Sequence, residues 1–175
     1  MLSSAVGPAW LRSSFGIAVV NILDIQDDFE LCNQLFSRLA EFCNEIDVDS
    51  YTELERVVTL VWHSGGLIGN GGFHYLFEGD FSGDPGFVYT AAAYRRIGAS
   101  RAYEAFQDAI RQFPGGVLPA DIDERLRAYE SLPKATWDQI ERRYYDAAKD
   151  TETCLARFIR EHRRGYEDLL NQKKS

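Results

Sequence analysis

From Asp27 onward, apolar side chains return every three or four residues, the period of one face of an α-helix. Cys32, Leu35, Leu39, Phe42 and Ile46 form one such stripe, widened by Leu31, Phe36 and Cys43. Asp27, Glu30, Arg38, Glu41 and Glu45 fall on the opposite face. Ser50 followed by Glu53 has the spacing of a capping box for a second helix. That helix buries Leu54, Val57, Val58, Val61 and Trp62 and is expected to stop at Gly65–Gly66. Asp84 with Pro85 opens a third helix that runs to Ile97 and stops at Gly98. Ser100 caps a fourth, with Tyr103, Phe106, Ile110 and Phe113 inward, broken by Pro114-Gly115-Gly116. Asp121 and Glu124 make a further capping pair ahead of Leu126, Tyr129 and Leu132. Past Pro133 come a helix with Trp137, Ile140 and Tyr144 and a last one from Leu155 through His162 to Leu169.

No segment alternates convincingly at the period of two that a half-buried strand shows, apart from a short candidate in 15–23. The expected fold is all-α, a single compact domain of about seven or eight helices around a Gly-rich central loop. Residues 24–175 make up that domain, and 1–23 read as a leader or N-terminal extension. A chain of 175 residues suits one domain.

Charge narrows the function. Lys and Arg number 19 against 27 Asp and Glu, a formal net charge of −8. That sign disfavours direct nucleic-acid binding and docking on anionic membranes. The imbalance is local: ten acids and one base, Arg38, fall within residues 24–55. Such a run is either a solvated helix face or an anionic surface that engages a basic partner. The apolar stretch Phe15–Leu23 is too short to span a bilayer. Cys32, Cys43 and Cys154 form no CxxC, which suits a reducing cytoplasm.

Gly65 to Gly86 holds eight glycines in 22 residues, yet lacks the Lys-Ser/Thr of a phosphate-binding P-loop. Asp80-x-Ser82-x-Asp84 fails as a calcium loop, with Pro85 at the glycine position and Ala91 in place of the bidentate Glu. His63, His74 and His162 have no zinc-pair spacing, and hydrolase signatures are missing. No metal and no cofactor is expected. The enzyme or ligand-binding alternative rests on His63 and His74 flanking the loop, with Asn70, Glu78 and Asp80.

Gly69-Asn70-Gly71-Gly72-Phe73-His74-Tyr75-Leu76-Phe77 resembles the NGGFHQYF-type signature of the bacterial DNA-mimic protein family, with Tyr75 where the glutamine often stands. The order of the downstream elements is similar too: an acidic loop, an Ala-rich helix ending Ile97-Gly98-Ala99, Phe113-Pro114-Gly115-Gly116, Arg143-Tyr144-Tyr145 and Phe158-Ile159-Arg160-Glu161-His162. The resemblance covers about residues 27–170. It implies a helical domain able to dimerise and, for part of the family, an acidic surface that imitates the DNA backbone and occupies a basic DNA-binding protein. In this chain the expected face is Asp27, Asp28, Glu30, Glu41, Glu45, Asp47, Asp49, Glu53 and Glu55, standing in for phosphates without catalysis.

Overall fold

The computed structural model describes residues 21–41, 47–79 and 81–172. Among these it holds eight α-helices and no strand: α1 (Asp28–Ala40), α2 (Glu53–Glu78), α3 (Val88–Arg96), α4 (Ser100–Arg111), α5 (Ile122–Glu130), α6 (Lys134–Asp146), α7 (Ala148–Glu161) and α8 (Arg163–Gln172). Helix α2 is the axis, packing against α1, α3, α5, α6 and α7. The all-α reading holds. Of the 15–23 strand candidate, 15–20 lie outside the described residues, and Ile22–Asp24 is a short 3-10 turn with Leu23 buried.

Several helix boundaries differ from expectation for local reasons. Ser50 does not cap α2, because its hydroxyl donates to the Asp47 carbonyl at 2.7 Å inside a 3-10 turn. The capping box forms two residues later. Thr52 Oγ1 accepts from the Glu55 N–H, and the Glu55 carboxylate accepts from the Thr52 N–H at 2.9 Å and its hydroxyl at 2.7 Å. At the far side of α3, Gly98 (φ 77°) sends its N–H to Arg95 O while Ala99 sends its own to Tyr94 O. This paired closure leaves Ala99 at the cap position of α4, with Ser100 as its first residue.

Helix α3 begins at Val88, later than Asp84-Pro85 suggested. Asp84 nevertheless supplies the cap. Its buried carboxylate accepts from the N–H groups of Tyr89 (2.9 Å) and Thr90 (2.8 Å) and from the Thr90 hydroxyl (2.8 Å). The last expected helix is two, α7 and α8, parted at His162.

The largest departure is the expected loop itself. Gly65 and Gly66 do not end α2; the helix continues through them. Glycine in a helix interior costs about 1 kcal/mol against alanine. Leu60, Val61, Ser64 and Ile68 are buried on either side of the pair, and their packing outweighs that cost. Ser64 also belongs to a buried hydroxyl chain, 3.0 Å from Tyr94 Oη, which lies 2.5 Å from Tyr144 Oη. The real break comes at Gly71 (φ −154°) and Gly72 (φ 70°), where the axis kinks before a last run to Glu78. Beyond the kink Phe73 and Phe77 anchor an aromatic core with Phe87, Phe106, Phe113 and Trp137.

Cysteine contributes packing. Cys32 is fully buried, which pushes its thiol pKa up to about 12, well away from nucleophilic reactivity. Cys43 lies outside the described residues.

Candidate functional site

The structure sorts the nine acids of the expected face by what each already holds. Asp27 caps α1, accepting from the Glu30 N–H at 2.9 Å. Asp28 pairs with Arg160 of α7 at 2.7 Å, and that hydrogen bond draws its pKa below the ordinary carboxylate value. Glu41 pairs with Arg38 one turn back. Glu53 meets Arg96 of α3 at 3.1 Å. Glu55 is buried in the capping box. Asp47 accepts from the Asp49 N–H at 3.2 Å across its turn. Glu30, Asp47 and Asp49 are exposed and meet no cation at salt-bridge distance among the described residues. Glu45 lies outside the described residues. Asp24, another acid of the same segment, is held at 2.8 Å by Arg163 of α8. Of the run that dominates the sequence charge, Asp24 and Asp28 are answered by arginines of the C-terminal helices, Glu41 and Glu53 by Arg38 and Arg96.

The glycine signature has a different account. At Gly72 the backbone enters the left-handed region, and an added Cβ would collide with Glu141 Oε1. Glycine is required there for both reasons. A kink strips backbone groups of intrahelical partners, and α6 supplies replacements one turn apart. Glu141 Oε1 accepts the Phe73 N–H at 3.0 Å, and Tyr145 Oη donates to the Ile68 carbonyl at 2.8 Å. Asn70 and Gly71 are exposed.

His63 and His74 sit in separate surroundings on α2. His63 lies between Phe36 and Phe81, ring centroids 6.3 and 5.4 Å away, and desolvation there lowers its pKa. His74 packs edge-on to Tyr129 at 5.2 Å, with Nδ1 3.4 Å from Glu78 Oε1. His74 lines a shallow cleft with Tyr129, Trp137 and Glu141, and none of the described clefts holds both histidines. Asp80 lies outside the described residues. No group of three or more His, Cys, Asp or Glu able to hold a metal occurs among the described residues, and no described helix is long and apolar enough to cross a membrane.

Two residues central to this arrangement escaped the sequence reading. Glu141 gave no local sign, because its partner lies 68 positions away. Arg125 gave a faint one, a cation at helical spacing between Ile122 and Tyr129 on the inward face of α5. It is buried and donates to the carbonyls of Phe77, Gly79, Pro119 and Ala120, tying the end of α2 to the approach of α5.

The features define a class: an all-helical domain built on a central helix that is broken at Gly-Gly and recapped from a neighbouring helix. Within that class the chain belongs to the DMP19-like protein family, whose model matches residues 49–162. This is the DNA-mimic family that the glycine signature resembles. No curated protein and no solved structure matches the chain. The matched span contains the kink, Glu141, Tyr144 and Tyr145. It begins after α1, so Asp27, Asp28, Glu30, Glu41, Glu45 and Asp47 precede it, while Asp49, Glu53 and Glu55 lie inside.

Proposed function

We propose that this chain is a non-catalytic interaction protein whose surface carboxylates occupy the phosphate-binding cations of a basic DNA-binding protein. Membership of the DMP19-like family is the observation that carries this reading. A mimic needs carboxylates on a rigid surface and available to a partner's Arg and Lys. Glu30, Asp47 and Asp49 meet that requirement. Inside the matched span, Asp123, Glu124 and Glu130 of α5 do as well, being exposed and free of ion pairs among the described residues. Asp27, Asp28, Glu53 and Glu55 contribute mainly by building the scaffold.

Affinity capture from a lysate tests this, with bound proteins identified by mass spectrometry and challenged with duplex DNA. A DNA-binding protein released by the duplex and by salt is the expected result. Glu30→Lys with Asp49→Lys, or Asp123→Lys with Glu124→Lys, should weaken capture at least about tenfold. Unchanged capture by both double variants would overturn the reading.

A further inference from the structure

On this acidic chain, the cleft between α2 and α3 carries the opposite sign. It measures about 410 Å³ and is lined by Arg56, Arg95 and Arg96 against a single carboxylate, Glu53. Many cations elsewhere hold carboxylates: Arg101 with Asp150, Arg111 and Arg143 with Asp108, Lys134 with Asp138, Lys149 with Glu152, Arg160 with Asp28. In the cleft, Glu53 answers Arg96 alone. Arg56 is fixed by neutral groups, donating from Nε to Val48 O at 3.2 Å and from Nη2 to Tyr51 O at 3.1 Å. Its guanidinium stacks 4.3 Å over the Tyr89 ring. Those contacts orient the fork, and Arg56 makes no ion pair at salt-bridge distance among the described residues. Arg95 is exposed and makes no ion pair or side-chain hydrogen bond among the described residues.

Helix polarity does not explain the grouping. Arg95 and Arg96 lie in the last turn of α3, where the macrodipole favours cations, but Arg56 lies near the start of α2, where it disfavours them. Guanidiniums that line one cleft without their own ion pairs repel each other, and an anion between them relieves that repulsion. A planar fork matches phosphate oxygens two at a time, and a tetrahedral dianion can accept from more than one fork. Val57 and Ala93 give the cleft an apolar floor.

We propose that the α2–α3 cleft binds the phosphoryl group of a small ligand, with Arg95 and the oriented Arg56 as its ligating cations. This site is separate from the acidic face and does not depend on mimicry. The test is an NMR titration of the full chain, following backbone amides, with inorganic phosphate and with adenosine monophosphate. Arg95→Gln removes a ligand without removing a fold contact, and Arg111→Gln is a control for charge at a distant surface. Saturable shifts centred on residues 89–96, weakened about tenfold or more by Arg95→Gln and unchanged by Arg111→Gln, are expected. Tighter binding of the nucleotide would assign the site to an organic phosphate and equal binding to free phosphate, and either result supports it. Absence of saturation by about 10 mM, shifts centred elsewhere, or equal effects of the two variants would overturn it.

Discussion

The kink of α2 and the acidic segment before it both use carboxylates, to opposite ends. At the kink one carboxylate, Glu141 of α6, accepts the Phe73 N–H released at Gly72, and it lies where a Cβ on Gly72 would have to go. In the acidic segment the carboxylates sit at the surface, several held by arginines and several open to water. A buried polar group left without a partner costs about 1–3 kcal/mol, whereas an exposed ion pair contributes about 0–1 kcal/mol. The first region therefore specifies the fold, and the second can vary while the fold stands. The family model follows that division, matching the kink and not α1.

The most severe way to break the comparison is Gly72→Ala. Left-handed backbone costs a non-glycine residue about 1–2 kcal/mol, and the new Cβ would collide with Glu141. Displacing that cap brings the loss to about 2–5 kcal/mol, or roughly 10 °C in Tm. A calorimetric loss below about 1 kcal/mol would show that the kink does not specify the fold. Glu141→Ala should cost about 2 kcal/mol by leaving the Phe73 N–H unanswered, and Glu141→Gln, which keeps an oxygen acceptor, less. Equal denaturation midpoints for the two variants would rule out the cap as a stabilising contact.

His63 lies between the regions, beside Phe36 of α1. Its folded pKa is lowered by desolvation, so the unfolded chain takes up the proton first, near the ordinary 6.5. This residue's contribution to stability is complete above that value and declines as pH falls through it. Denaturation midpoints at pH 7.5 and 5.5 should show a smaller decline in His63→Phe than in the parent. The smallest effect belongs to Glu30→Lys with Asp49→Lys, expected to change stability by no more than about 0.5 kcal/mol per site. A loss above about 2 kcal/mol would make this surface part of the scaffold.

Local physics was legible in the sequence, and long-range partnership was not. The stripe Leu31, Cys32, Leu35, Leu39 lies buried on α1 as its spacing implies, and the Asp121 cap needs only a residue three positions on. Glycine misled because its helix cost is a local quantity, while the neighbours of Gly65, Tyr94 of α3 and Tyr144 of α6, are remote in sequence. Ser50 misled because two adjacent turns compete for one hydroxyl. For the candidate surface, counting acids located the charge but could not show that Arg160 and Arg163 come from the other end of the chain to meet it.

If a basic partner engages this face as proposed, those two arginines make the protein its own competitor. A basic partner reaching for Asp24 or Asp28 must first displace a tethered guanidinium, present at an effective concentration that no free protein matches. A single stray lysine on a passing protein meets an occupied carboxylate. A dense array of cations, such as a DNA-binding groove presents, can exchange several at once and release the internal arginines. On the proposed function, the clamp that seats α1 would set a modest threshold on how cationic a visitor must be.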